Sequence, residues 1–195
     1  MRLAMSILGL FLSTNAFAGG VGLLTTGGMY SETVYFYDSS KEFQQYQQPQ
    51  TIGTYGTGVE AVIGDRDDKI MGVARFYWLQ ETPQQDPSTS TSLVDAEDVV
   101  ANWREDARNV GIFTVGLQGT YWRKNKLSLN ATVMLGSGFL TTDNSEFFLA
   151  EAGAGVSYRI TRAVDAHLDV QYALRNRKGL LHGVNTYAGI RYLFD

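Results

Sequence analysis

Cysteine is absent from the 195 residues. Disulfides, thiolate metal sites and a lipidated N-terminal cysteine are therefore excluded, and stability has to come from backbone pairing and packing. Proline is nearly absent as well, three residues against 21 glycines, a balance that suits strands joined by tight turns. Clusters of Lys or Arg are missing and the net charge is -4, which has the wrong sign for a nucleic-acid partner. Histidine occurs only at 167 and 182, so no transition-metal site is expected. The acidic stretch Asp65-Arg66-Asp67-Asp68 lacks the loop length, Gly and distal Glu of a calcium loop. Neither a P-loop nor a G-x-G-x-x-G ahead of a helix occurs, and no cofactor is expected.

Long apolar runs are also lacking beyond the N-terminus. Arg2, the mostly apolar stretch Leu3 to Leu12 and the A-x-A site Ala16-Phe17-Ala18 have the layout of a signal peptide over residues 1–18. The mature chain is expected to begin at Gly19 as one barrel domain, 19–195. Past that site nothing reaches the roughly 18 apolar residues of a spanning helix, so any membrane crossing must use strands.

What is present is a period of two. Val164, Ala166, Leu168, Val170, Tyr172 and Leu174 share one face, while Asp165, His167, Asp169, Gln171 and Arg175 share the other. Eight such segments are expected at roughly 19–31, 52–64, 70–80, 110–122, 127–140, 147–160, 163–175 and 185–194. Most reach the nine to eleven or so residues of a tilted membrane-crossing strand. Short charged links alternate with long polar ones around 38–50 and 81–109, which is the pattern of short periplasmic turns and long outer loops. The predicted fold class is all-β, an eight-stranded antiparallel up-and-down transmembrane β-barrel.

Running the strands alternately up and down places Tyr55, Phe76, Trp78, Phe113, Phe139, Phe148 and Tyr172 at the outer rim and Tyr121, Tyr158, Tyr192 and Phe194 at the periplasmic rim. Aliphatic residues such as Val59, Val115, Leu117, Val133, Leu168 and Ile190 fall between these two aromatic girdles. A soluble lipocalin-like barrel would reverse this pattern. The inward face is polar, with Glu60, Arg75, Gln118, Glu151, His167 and Asp169. Arg159, Asp165 and Arg191 are expected to form a salt-bridge cluster at the periplasmic end.

The segment Tyr187-Ala188-Gly189-Ile190-Arg191-Tyr192-Leu193-Phe194 resembles the C-terminal signal of bacterial outer-membrane barrels, a Gly followed at fixed spacing by two aromatics one residue apart. With the eight-strand pattern, nearly the whole chain resembles the small eight-stranded outer-membrane barrels, the OmpA/OmpX-like class. The resemblance implies export to the bacterial outer membrane, contact with outer-membrane lipid and lipopolysaccharide, and recognition of Gly189, Tyr192 and Phe194 by the barrel-assembly machinery. Asp195 follows the final aromatic, where the family usually ends.

Eight strands enclose an interior that side chains fill, so a wide aqueous pore is not expected. Lipid A deacylases carry a His-x-Ser-Asn motif, but His182-Gly183-Val184-Asn185 has valine in the nucleophile's place. Asp38, Ser39 and His182 are the only set for a palmitoyltransferase-like site, and no motif joins them. No catalytic residue is expected. In the long loop, 83–92 reads as flexible and Ser92 as the cap of a short helix presenting Leu93, Val100 and Trp103 as a docking surface for other envelope proteins. The reading is a non-enzymatic structural or interaction component of the envelope, acting alone or as a subunit of a surface apparatus for adhesion or motility. Its rivals are a narrow channel through His167 and Asp169, separable by single-channel conductance, and a lipid A-modifying enzyme, separable by mass spectrometry of lipid A.

Overall fold

The structure is a computed structural model that describes residues 18–38, 44–65, 67–83, 99–101, 106–141, 146–177 and 180–194, with backbone pairing alone at 34–38, 44–48 and 99–101. Among the described residues nine strands run in chain order: β1 (Gly19–Asp38), β2 (Gln44–Ile63), β3 (Ile70–Glu81), β4 (Val99–Ala101), β5 (Arg108–Lys124), β6 (Leu127–Leu140), β7 (Glu146–Arg159), β8 (Val164–Asn176) and β9 (Leu180–Phe194). All except β4 form an up-and-down antiparallel wall. It closes because β1 pairs with β2 on one side and with β9 on the other. Closure leaves no edge within the wall, which is what a bilayer demands of a sheet. Residues 1–17 of the expected signal peptide 1–18 lie outside the described residues, as does Asp195.

Alternation sorts the side chains as the sequence pattern requires. Tyr55, Phe76, Trp78, Phe113, Phe139, Phe148 and Tyr172 are all exposed on the outside of the wall, as are Tyr121, Tyr158, Tyr192 and Phe194 at the other end. Val59, Val115, Leu117, Val133, Leu168 and Ile190 are exposed between them. In water this surface would aggregate, and in a bilayer it is the solvated face. One irregularity interrupts the alternation. A bulge between Thr120 and Trp122 inserts Tyr121 into β5, so Tyr121 and Trp122 both end up exposed.

Three strands, β1, β2 and β9, run well beyond the sequence expectation. β1 and β2 run to 20 residues each and pair along their full lengths, from Gly19↔Ile63 to Asp38↔Gln44. The polar link expected at 38–50 is thus mostly strand, because Tyr35, Phe36 and Tyr37 continue the ladder opposite Gln47, Tyr46 and Gln45. β9 also starts earlier than expected, at Leu180, and β3 reaches Glu81. The helix expected over 93–105 is corrected at its centre. Val99–Ala101 is a strand antiparallel to Tyr35–Tyr37, since the free edge of β1 supplies backbone partners that an isolated short helix lacks. Val100 therefore belongs to β4, and Leu93 and Trp103 lie outside the described residues.

Candidate functional site

The interior is built in layers along the barrel axis. At its periplasmic end Val62, Val73, Met134 and Leu193 pack together. Above them lies a charged layer centred on Glu60. Register places Glu60 opposite Arg75, whose Nε donates to Glu60 Oε2 at 2.7 Å and whose Nη2 donates to Asp169 Oδ2 at 2.5 Å. Arg191 reaches the same carboxylate from β9 through Nε and Nη2, and its Nη1 donates to Gln118 Oε1 at 2.7 Å. His167 Nε2 stands 3.7 Å from Glu60 Oε1. Two guanidiniums thus face two carboxylates, all with side chains at 3% exposure or less or fully buried by residue. Such a layer persists out of water only because each charge has an opposite neighbour.

The next layer is hydrogen-bonded around Glu151. Tyr187 OH and Asn185 Nδ2 each donate to Glu151 Oε1 at 2.7 Å, and Tyr77 OH lies 3.3 Å from it. The two tyrosines meet edge to face at 5.5 Å, and the Arg75 guanidinium lies 4.6 Å from the centre of the Tyr187 ring. That cation–π contact ties this layer to the one below. Towards the outer mouth the lumen turns apolar, with Tyr30, Leu79, Val110, Ile112, Leu140, Phe147 and Leu149 in one cluster.

A second ion cluster caps that apolar plug. Glu81 accepts from Arg108 Nη2 at 2.5 Å and from Arg175 Nη1 at 2.9 Å, and Arg177 Nη1 approaches it at 3.3 Å. Arg177 also donates to Glu32 at 2.6 Å, and Arg175 stacks 3.6 Å over the Tyr30 ring. This cluster was missed at Glu81 and Arg108 because both were assigned to the long loop. The signal was there: Arg75, Tyr77, Leu79 and Glu81 keep one parity, as do Arg108, Val110, Ile112 and Thr114.

The predicted lumen residues Glu60, Arg75, Glu151, His167 and Asp169 all face inward and are buried. The periplasmic trio is brought together, since Arg159 pairs with Asp165 and Asp165 with Arg191 in register. All three line a cavity of about 30 Å³, room for one or two waters. Arg191 also reaches Glu60 and Gln118, and Arg159 also reaches Asp67 at 3.5 Å. Arg191 is drawn up by the fully buried carboxylate, where an unpaired charge costs most. Of the assembly-signal residues, Tyr192 and Phe194 are exposed on the wall and Gly189 faces the lumen. A side chain at 189 would meet His167 Cε1 at 2.6 Å, so this glycine makes room for the histidine.

His182 and Asn185, the deacylase-like pair, are not brought together. His182 is exposed outside the wall and stacks on Tyr172 at 6.3 Å, whereas Asn185 is buried inside against Glu151. Residues three apart on a strand point to opposite faces. Ser39 lies outside the described residues, and so does the side chain of Asp38. Among the described residues no group of three or more His, Asp or Glu is arranged to hold a metal ion.

No family model and no curated protein matches the chain. Solved structures to which it is similar include Ail, the attachment invasion locus protein of Yersinia pestis, at 11% identity and TM-score 0.42, covering 90% of this chain and 99% of that one. Neisserial surface protein A matches at 11% identity and TM-score 0.43 over 88% and 97% of the two chains. The outer membrane protease OmpT from Escherichia coli matches at 10% identity and TM-score 0.36 over 93% and 99%. A closed wall that is greasy outside and charged inside is stable only with lipid around it. With eight strands in the wall and short turns at the end holding Gly19 and Phe194, the fold is an eight-stranded antiparallel transmembrane β-barrel.

Proposed function

We propose that the protein is a non-enzymatic structural and interaction component of the bacterial cell envelope, which uses a filled barrel as the base for a β-hairpin raised above the outer rim. One observation carries this reading. β9 leaves β1 at Ser31↔His182 and β3 leaves β2 at Thr54↔Glu81, yet β1 and β2 go on pairing to Asp38↔Gln44. Seven residues at about 3.4 Å each lift the hairpin roughly 20 Å beyond its neighbours. β4 buttresses it from the loop 82–107, so the two outer segments form one platform rather than separate loops.

The interior supports a scaffold role over the channel alternative, because ion layers and an apolar plug fill it. Partners in this reading are other envelope proteins at the platform, lipopolysaccharide around the outer girdle, and the barrel-assembly machinery at β9 during insertion. A surface adhesion or motility apparatus is the kind of assembly such a platform serves. The test replaces residues 35–47 with an Asn-Gly turn that joins Val34 to its cross-strand partner Gln48. The shortened chain is expected to keep the heat-dependent gel mobility of a folded barrel while losing the proteins that co-purify with the full-length chain from native outer membrane. Recovery of the same partners by the shortened barrel would refute the platform.

A further inference from the structure

The periplasmic rim carries a site that the scaffold reading does not use. The bulge in β5 turns Trp122 outward, and the two-residue turn after it holds Lys124 opposite Leu127. Asn125 makes that turn tight by taking a positive φ of 55°, a conformation asparagine tolerates better than most residues. Leu127 in turn pairs with Tyr158 on β7. Trp122, Lys124, Asn125, Lys126, Leu127 and Tyr158 line an open groove of about 380 Å³ on the outside of the wall.

Three features of this groove point to one occupant. Its floor is aromatic and aliphatic, with Trp122, Leu127 and Tyr158 each about two-fifths to one-half exposed. It sits in the girdle at the short-turn end, the level of the inner-leaflet headgroups. Its polar margin has two ammonium groups and no carboxylate, and neither Lys124 nor Lys126 has an ion-pair partner among the described residues. Asp67, an acid of the same rim, is held by Arg123 and Arg159 instead. An amphipathic molecule with an anionic head and apolar tails satisfies all three conditions.

We infer that this groove is a binding site for an anionic glycerophospholipid of the inner leaflet, its phosphate held between Lys124 and Lys126 and its glycerol and upper acyl region lying on Trp122, Leu127 and Tyr158. The site is local to the β5–β6 turn. Without the bulge Trp122 would face the lumen, and the floor would be lost.

The test uses the purified full chain in micelles containing equal phosphatidylglycerol and phosphatidylcholine of the same acyl chains, with retained lipid counted by native mass spectrometry. The protein is expected to retain phosphatidylglycerol in preference to phosphatidylcholine. K124Q/K126Q should lower phosphatidylglycerol retention roughly tenfold, a few-fold for each charge, and leave phosphatidylcholine unchanged. K69Q/R162Q, which removes two charges from other turns of the same rim, should change neither. W122L should lower retention of both lipids, and gel mobility checks that each variant is folded. Undiminished phosphatidylglycerol on K124Q/K126Q overturns the site. Equal loss on K69Q/R162Q overturns it in favour of diffuse rim charge, and unchanged binding by W122L overturns the aromatic floor.

Discussion

Glu60 and Glu81 are the same chemical device in two settings. Each is a glutamate on an inward position of β2 or β3, and each collects guanidiniums from distant strands. Around Glu60 the charges balance: Arg75 and Arg191 face Glu60 and Asp169, with side chains fully or almost fully buried. Around Glu81, Arg108, Arg175 and Arg177 face two carboxylates among the described residues, Glu81 and Glu32, and the Arg108 and Glu32 side chains keep 13% and 11% exposure. The inner cluster is a lock that tolerates no missing member. The outer one carries a surplus cation that neighbouring aromatic rings and solvent help to hold.

The largest effect should therefore follow the loss of Glu60. Glu60→Gln keeps the shape of the side chain and leaves two buried guanidiniums with one carboxylate between them. Removing one partner of a buried pair costs about 3–5 kcal/mol. Urea unfolding of the barrel in lipid vesicles, followed by tryptophan emission, measures it. Adding Arg191→Gln should recover part of the loss, since residues in one network are coupled. A loss below about 1 kcal/mol would mean that water already reaches the layer, and the contrast with Glu81 would disappear.

That contrast also marks how far the sequence could be read. Strand parity exposed the inner layer, because Glu60, Arg75, Asp169 and Arg191 sit in segments where apolar residues alternate cleanly on the lipid face. It also located both aromatic girdles, since lipid imposes the same demand on every strand. Parity failed where that demand stops. Beyond the bilayer Glu32, Glu81 and Arg108 lie in strands whose outer face no longer has to be greasy, so they resembled loop. The rise of β1 and β2 was hidden for the same reason. At Trp122 a bulge shifted the phase by one residue, and a strict two-residue rule cannot see an insertion. Which cation meets which carboxylate was not legible either. Register placed Arg191 beside Asp165, but the long side chain reaches past it to Glu60.

Glu81→Gln should cost less than Glu60→Gln, about 1–3 kcal/mol. Arg177 retains Glu32 at 2.6 Å, Arg108 has Glu32 at 3.6 Å, and Arg175 keeps the Tyr30 ring at 3.6 Å. Unfolding in the same vesicles gives the comparison directly. Equal losses from the two variants would show that the outer cap is as dry as the inner lock. Glu32→Gln together with Glu81→Gln sharpens the point, because it removes both carboxylates from three cations. The pair should then approach the loss caused by Glu60→Gln alone.

The smallest effect is expected at Asp165, the residue that the sequence pattern placed at the centre of a salt bridge. Asp165 is half-buried at the periplasmic mouth, beside a cavity with room for water, and Arg159 and Arg191 both have other carboxylates to bind. Exposed or wet ion pairs contribute at most about 1 kcal/mol, so Asp165→Ala should shift the urea midpoint only slightly. The informative quantity is its coupling to Glu60→Gln. If Arg191 swings down to Asp165 once Glu60 is neutral, the double variant should lose more than the two single losses combined, because Asp165 has taken over as its carboxylate partner. Strict additivity would mean that Arg191 stays fixed on Gln118, and that the inner lock is held by hydrogen-bond geometry as much as by charge.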